Sequence, residues 1–153
     1  MIVRKAENKD IPRLIELLYQ VHKVHSDKRP DLFRAGSKKY SEKELREIIT
    51  DENRPIFVAE DGEVKGYAFC IFQPHTGESL VRCTSLYIDD LCVDEKARGC
   101  HIGTELYNYV LAFAAEKGCY NVTLNVWACN ENALKFYQSL GMKVQKLGME
   151  TIL

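Results

Sequence analysis

The chain has 153 residues and a mass of 17.6 kDa, and 46% of its residues are apolar, which is enough material for one domain with a buried core. Its 21 basic and 22 acidic residues leave a net charge of −1, which excludes the basic excess of a chain-wide nucleic-acid surface. No run of 18 apolar residues occurs, and the N-terminus is charged within five residues. We therefore predict a single domain over residues 1–153 in a cytoplasmic protein, with neither a nucleic acid nor a membrane as its partner.

The first half of the chain predicts two helices and an antiparallel hairpin. The expected elements are a strand over 2–5, a helix over 11–24, a helix over 41–49, and strands over 55–60 and 65–73. Asp10 is placed as the N-cap of the first helix, and Ser41 with Glu44 forms a capping-box pattern for the second. Asp61-Gly62 is typical of the turn between the two hairpin strands.

The second half alternates between strands and helices. We expect a strand over 81–93, a helix ending near 117, a strand over 121–127, a helix capped by Asn130 or Asn132 and ended by Gly141, and short strands over 143–146 and 149–152. Hairpins followed by a strand–helix–strand–helix unit predict a mixed α+β fold, with a mostly antiparallel sheet and helices on its faces.

Six cysteines are present, namely Cys70, Cys83, Cys92, Cys100, Cys119 and Cys129. Without a secretory signal they are expected to be reduced thiols. No Cys-x-x-Cys pair occurs, so we predict no metal site.

The segment between the long strand and its following helix contains Arg98, Gly99 and Gly103. Amides at a helix start lack partners within the helix and face its positive dipole end, so this segment can bind a phosphate. The glycines could instead serve packing alone. Neither a Walker-type loop nor a dinucleotide-binding glycine pattern occurs in the chain.

Tyr137 lies in the last predicted helix, four residues after Ala133 and three before Leu140, so its side chain is expected to face inward. A hydroxyl at such a place can donate a proton to a leaving group. The alternative is a core aromatic residue whose hydroxyl is satisfied by a neighbour.

These two segments together resemble the GNAT superfamily of acyl-CoA-dependent N-acyltransferases. The family's loop, Gln/Arg-x-x-Gly-x-Gly/Ala, is matched by Arg98 to Gly103, with His101 in place of the middle glycine. The family's later motif, Asn-x-x-Ala-x-x-Phe-Tyr-x-x-x-Gly-Phe, is matched at Asn130, Ala133, Phe136, Tyr137 and Gly141, with Met142 at the last position. The order of elements is also similar over nearly the whole chain.

The resemblance implies acetyl-CoA as co-substrate, bound between two splayed central parallel strands. Its pyrophosphate would lie on the loop and helix start, and its pantetheine arm along the first of these strands, where Asn130 would reach it. The residues that the resemblance assigns to this cofactor are Leu91, Cys92, Val93, Arg98, Gly99, Cys100, His101, Ile102, Gly103, Thr104 and Asn130. Tyr137 would protonate the departing thiolate after direct attack by an amine. His101 could add a side-chain contact of its own.

The sequence offers several candidates for the base that deprotonates the amine. Asp89 and Asp90 are consecutive in a strand, so alternation predicts that they lie on opposite faces, with Asp89 sharing a face with Leu91 and Val93. In relatives with a similar stretch the first acidic residue is a candidate base, and we prefer Asp89. Water or Tyr19 could also serve, and the two carboxylates could be a solubility feature.

The acceptor is expected to be a small-molecule primary amine, with a peptide acceptor or a non-catalytic acyl-CoA sensor as alternatives. Residues 28–46 hold seven basic and three acidic side chains, either a solvated surface or a rim that attracts an acidic substrate. Residues that could line the acceptor site, or belong to the core, are His22, His25, Phe33, Tyr40, Tyr67 and Trp127. The resemblance also implies that exposed strands near the C-terminus can support a homodimer.

Overall fold

The structure is a computed structural model that describes all 153 residues. The strands are β1 (Ile2–Lys5), β2 (Ile56–Asp61), β3 (Glu63–Pro74), β4 (Thr84–Val93) and β5 (Asn121–Leu124). The helices are α1 (Ile11–Lys28), α2 (Glu42–Thr50), α3 (Ile102–Glu116) and α4 (Glu131–Ser139), with short 3-10 turns at Asn8–Asp10 and Glu95–Ala97. None of the helices combines the length and the apolar character needed to cross a bilayer.

The five strands form one sheet in the order β1-β2-β3-β4-β5. The first three pairings are antiparallel, and the pairing of β4 with β5 is parallel. A parallel pair needs a crossover connection, which α3 provides. The predicted mixed α+β fold with a mostly antiparallel sheet is confirmed.

The sheet has a separate hydrophobic cluster on each face. One face packs against α1 and α2 through residues such as Leu14, Leu18 and Leu45. The other packs against α3 through Leu106 and Val110, among others. Helices on both faces were predicted, and the apolar stripes of these helices account for the arrangement.

The helix boundaries follow the predicted caps closely. The side chain of Ser41 accepts a hydrogen bond from the Glu44 amide, and that of Glu44 accepts one from the Ser41 amide, so the predicted capping box is present. Asp10 does precede α1, but its carboxylate accepts from the Glu7 amide and pairs with Arg4 instead of capping the helix. Helix α1 extends to Lys28, beyond the predicted end at 24 and two residues short of Pro30.

A β-bulge interrupts the pairing of β3 with β4. Phe69 lies opposite Asp90 while Cys70 lies opposite Ile88, so Asp89 is the additional residue on β4. The bulge shifts the alternation of side chains along the strand: Cys92 belongs to the α1 side, whereas Ile88 belongs to the α3 side. The two residues are four positions apart in the sequence, so without the bulge they would share a face.

The C-terminal segment differs most from the predicted elements. Residues 143–146 and 149–152 were predicted as strands, but residues 143–153 pair with no other strand and contain no regular element. Two further strands are shorter than predicted, because β4 begins at Thr84 and β5 ends at Leu124. Strand propensity was present in each of these segments, but a strand also needs a partner for its backbone groups.

Candidate functional site

An opening lies between β4 and β5. Their pairing begins at Ser85 and Asn121 and ends at Ile88 and Leu124, while β4 continues to Val93. Beyond Ile88, therefore, β4 is paired with β3 on one side only. Its other edge presents backbone donors and acceptors that an extended ligand can pair with, as an added strand would.

The side chains along this free edge point into the two cores. Cys92 is buried on the α1 side, where its thiol lies 3.6 Å from the Leu17 carbonyl oxygen. Burial raises the pKa of Cys92 to about 12, which makes the thiol a poor nucleophile. Leu91 and Val93 pack on the α3 side. The backbone of all three residues remains available to a ligand in the opening.

A shallow cavity of about 200 Å³ lies where β4 leads into α3. Its lining residues are Val93, Ala97, Arg98, Gly99, His101, Ile102, Gly103 and Thr104. The sequence predicted seven of these eight as ligand-binding residues, and the structure brings them together. Cys100 is exposed and does not line the cavity.

The backbone at His101 determines how this cavity is built. His101 precedes α3 with a φ of 59°, and it is the only non-glycine residue of the chain with a positive φ. Gly99 also has a positive φ, 81°. A left-handed residue at this point is unfavourable unless it is glycine, and such strain is typical of functional sites. His101 therefore adopts the conformation for which the family's loop has a glycine.

The first amides of α3 are available to a ligand. The earliest hydrogen bond of the helix is donated by Glu105 to the His101 carbonyl oxygen, and the amides of Ile102, Gly103 and Thr104 donate to no acceptor in the chain. A helix of 15 residues also places the positive end of its dipole at this point. These donors converge on the cavity and are suited to a phosphate.

Arg98 adds a positive charge beside the amides. Its guanidinium forms no salt bridge, and its Nε lies 3.5 Å from the Val93 carbonyl oxygen. The start of the loop is held by Asp94, which is buried, accepts a hydrogen bond from the Lys96 amide and is ion-paired with Arg13 of α1. The loop is thus fixed to the α1 side while Arg98 remains free.

Gly103 brings α3 close to α4. A Cβ placed on Gly103 would lie 3.0 Å from the Phe136 Cζ, closer than side chains normally approach. Asn130 caps α4, since its Oδ1 accepts from the Ala133 amide at 3.3 Å. Of the two predicted caps, Asn130 is the correct one. Both residues position the helix that carries Tyr137.

The hydroxyl of Tyr137 has no hydrogen-bond partner in the chain, although its ring is largely enclosed. The ring packs 5.1 Å from that of Phe136 and 6.4 Å from that of Tyr107, centroid to centroid. Burial, followed by the negative charge of Asp90, raises the pKa of Tyr137. The hydroxyl therefore stays protonated at neutral pH and is free to donate a proton.

Both acidic residues of β4 lie on the α1 side of the sheet. Asp89 accepts hydrogen bonds from Tyr40 and, at 2.9 Å, from Lys39. Asp90 accepts one from Tyr67 at 2.8 Å. The prediction that they lie on opposite faces, with Asp89 on the face of Leu91 and Val93, is wrong because the bulge inserts Asp89 into the alternation.

Asp90 has an unusual pKa. Burial raises the pKa of Asp90 to about 6, against the opposing effects of the Tyr67 hydroxyl and the Lys39 charge. A carboxyl group with this pKa exchanges protons close to physiological pH, a common property of catalytic residues. The sequence alone does not indicate this pKa, because the surroundings of Asp90 depend on a bulge that forms by pairing with a distant strand.

An aromatic wall lies beside the C-terminal end of β5. Phe33 packs 5.2 Å from Trp127 and 5.1 Å from His25, centroid to centroid. His22 is half-buried, and its Nε2 lies 2.6 Å from the Arg34 carbonyl oxygen. Burial lowers the pKa of His25, and the nearby His22 adds to this. Of the predicted wall residues, Tyr40 and Tyr67 instead bind the two aspartates.

Residues 18–142 match the model of the acetyltransferase (GNAT) family. This chain belongs to that family. The match spans both the loop from Arg98 to Gly103 and the segment with Tyr137, so the resemblance seen in the sequence is confirmed. GNAT proteins are in general transferases that bind acetyl-CoA.

Solved structures share the fold over the entire chain. A mutant form of the BH1408 protein from Bacillus halodurans is 29% identical, with a TM-score of 0.95 over 100% of this chain and 99% of that one. Glucosamine-6-phosphate N-acetyltransferase from Arabidopsis thaliana is 21% identical, with a TM-score of 0.72 over 99% and 97% of the two chains. An aminoglycoside acetyltransferase from an uncultured soil metagenomic sample, in complex with sisomicin, is 20% identical, with a TM-score of 0.74 over 99% and 95%.

Proposed function

We propose that this protein transfers the acetyl group of acetyl-CoA to a primary amine on a small molecule. The observation that carries the proposal is the arrangement around the opening. The unpaired amides that begin α3 lie at one end of the free β4 edge, and α4 carries the partnerless hydroxyl of Tyr137 against α3. Family membership supplies the class of reaction, and solved relatives of the same fold act on small-molecule amines by their names.

The residues present fit acetyl-CoA. The amides of Ile102, Gly103 and Thr104 with the guanidinium of Arg98 provide donors and positive charge for a diphosphate. The free backbone edge of Leu91 to Val93 provides the alternating donors and acceptors that match the amides of a pantetheine arm. Asn130 caps α4 through Oδ1, and its Nδ2 remains available to the same arm.

In the proposed reaction the amine nitrogen attacks the thioester carbonyl carbon directly, and the carbon–sulfur bond breaks. Tyr137 gives its proton to the departing thiolate, as its high pKa and free hydroxyl allow. No acyl-enzyme is required. The buried thiol of Cys92 is unsuited to that role, and Cys100 is exposed outside the cavity.

The acceptor amine must lose a proton, because amines are mostly protonated at neutral pH. We propose that Asp90 takes it, directly or through water. Its pKa of about 6 and the Tyr67 hydroxyl that orients it support this role. Asp89, which the sequence favoured, remains the alternative, although Lys39 and Tyr40 already occupy its carboxylate oxygens.

The first experiment is release of free thiol from acetyl-CoA against a panel of amino sugars, polyamines, amino acids and short peptides. Turnover with a small-molecule amine supports the proposal, whereas turnover only with peptides would replace it with a peptide acetyltransferase. Absence of turnover on the entire panel would favour an acyl-CoA-binding sensor.

Thermal denaturation with CoA tests whether the protein binds CoA at all. It distinguishes an enzyme or a sensor from a protein whose cavity binds no CoA. A ligand at 100 times its Kd stabilises the folded state by about 2.7 kcal/mol, which raises Tm by several degrees. Both the enzyme and the sensor should gain this stability. Arg98→Ala should reduce the gain, while Arg46→Ala, an exposed arginine on α2, is the matched control.

A further inference from the structure

His75 and Cys83 face each other at the end of β4 that lies away from the opening. Pro74 and Thr84 form the terminal pair of β3 with β4, and the His75 amide continues this ladder by donating to the Cys83 carbonyl oxygen at 2.8 Å. Residues that lie opposite each other on antiparallel strands have their side chains on the same face. The sulfur of Cys83 accordingly lies 3.5 Å from Nδ1 of His75.

Two further side chains determine which ring nitrogen of His75 carries the proton. The buried Ser85, two residues after Cys83, donates its hydroxyl proton to Oδ1 of Asn121 at 2.5 Å. The Ser85 oxygen therefore accepts from His75 Nε2, which lies 2.9 Å away. In a neutral imidazole with its proton on Nε2, the lone pair of Nδ1 is free, and here it faces the thiol of Cys83. A thiol beside a base that a third group orients is the arrangement of an activated nucleophile.

The other five cysteines lack this arrangement. Burial raises the pKa of Cys70 and of Cys92 to about 12, and it also raises the pKa of Cys119. Cys100 is exposed and Cys129 is half-buried, and neither sulfur has a hydrogen-bond partner in the chain. One thiol of the six is thus equipped with a base.

The pair can be reached from solvent. Cys83 and His75 are half-buried, and every residue from 76 to 82 between them is exposed. The pair lies next to Ser85, where the pairing of β4 with β5 begins, whereas the opening between these strands lies beyond Ile88. A small reagent can therefore react here without entering the opening.

We propose that Cys83 is a site of covalent modification by small-molecule disulfides, with His75 as its base. His75 Nδ1 takes the thiol proton as the Cys83 sulfur attacks one sulfur of the disulfide. A disulfide bond forms between Cys83 and that half of the reagent, the sulfur–sulfur bond of the reagent breaks, and the departing thiolate takes the proton from the imidazolium. The disulfide is the only oxidant, and a free thiol in solution reverses the exchange. The proposal does not depend on the acetyl-transfer reaction.

The test is the rate at which each thiol of the folded, reduced full chain reacts with oxidised glutathione, measured by peptide mass spectrometry after acid quenching. Cys129 is the matched thiol, because it is half-buried like Cys83 but has no imidazole beside it. We expect Cys83 to react at least about tenfold faster than Cys129. Equal rates in the parent protein would overturn the proposal.

His75→Gln distinguishes a base from simple exposure of the thiol. The carboxamide can still donate to Ser85 but is not a base, so the rate at Cys83 should fall at least about tenfold. Thr76→Ala, at the exposed next position of the same loop, is the control and should leave the rate unchanged. An unchanged rate in His75→Gln, with a melting transition like that of the parent, would overturn the proposal. Because the comparison with Cys129 is made in the parent, a variant that fails to fold leaves that test intact.

Discussion

The free hydroxyl of Tyr137 gives a direct test of the proposed chemistry. Tyr137→Phe should lower kcat by about 10²–10⁴-fold, the usual contribution of a general acid, and leave CoA affinity unchanged. Steady-state kinetics and CoA titration measure the two quantities separately. Tyr109→Phe is the control, because Tyr109 packs against Phe57 on the other side of α3. Equal activity of Tyr137→Phe and the control would exclude the acid role.

Asp90 makes a prediction about the dependence of the rate on pH. If Asp90 must be ionised to accept the proton, kcat/KM should rise through a pKa near 6 and level off above it. Asp90→Asn should lower the rate and remove this limb. Asp89→Asn is the comparison, and it should retain the limb. Loss of the limb in Asp89→Asn alone would identify Asp89 as the base.

For individual residues, the sequence correctly predicted the positions that depend on local spacing. Tyr137, Asn130 and Gly103 stand at fixed intervals within single helices, and the structure places them as those intervals imply. The orientation of Asp89 and Asp90 was predicted wrongly, because it depends on a bulge set by pairing with a different strand. No pattern in β4 alone marks which residue is the additional one.

Helix α3 carries a strained residue at its start, and the strain can be measured. His101→Gly should stabilise the protein by about 1 kcal/mol, since glycine adopts a positive φ without the steric cost. His101→Ala keeps the strain and removes only the imidazole, so its stability should stay within about 0.5 kcal/mol of the parent. Denaturant unfolding measures both variants. Equal stability of the two would contradict strain as the cause.

The contact between α3 and α4 predicts coupling between two positions. Gly103→Ala should displace the Phe136 ring and with it the helix of Tyr137, lowering kcat. Adding Phe136→Leu removes the clashing atom and should restore part of the rate, with a coupling of about 1 kcal/mol. Asn108→Ala, at an exposed position of α3, is the control. If the effects of the two substitutions are additive, the contact between Gly103 and Phe136 does not determine the position of Tyr137.

Among the elements, helices were predicted better than strands. Caps such as Ser41 with Glu44 lie within a few residues of the helix they begin, so the sequence contains the full signal. The predicted strands at 143–146 and 149–152 had the right residue types, but their formation depends on a partner edge elsewhere. The position of such an edge is a property of the assembled sheet.

Across the whole molecule, Asp90 should add its own pH dependence to the stability of the fold. A carboxyl whose folded pKa is raised favours the folded state when protonated, so its contribution is lost as pH rises from about 4 through 6. The free energy of unfolding of the parent should therefore fall, relative to that of Asp90→Asn, by on the order of 1–3 kcal/mol between pH 4 and 7. Denaturant unfolding at both pH values measures the difference, and a constant difference would contradict the raised pKa.

The fold class was predicted from the order of elements, because antiparallel hairpins followed by a strand–helix–strand unit leave few topologies. The division into two clusters, one on each face of the sheet, also follows from the amphipathic helices. The opening between β4 and β5 could not be predicted from residue patterns alone. It arises where β4 continues beyond its last pair with β5. This depends on how two strands pair that are separated in the sequence by a helix.

The bulge at Asp89 divides β4 into two parts whose side-chain alternation is out of phase. Residues before it and residues after it follow the same two-residue alternation in different phases. Deleting Asp89 would remove one carboxylate and the bulge itself, and it would join the two phases. Asp90 would then follow Ile88 directly and stay with Cys92 on the α1 side, while Leu91 and Val93 would stay on the α3 side. Loss of this one codon would thus leave both cores in place, whereas loss of a later codon of β4, with the bulge retained, would turn the residues beyond it to the opposite faces.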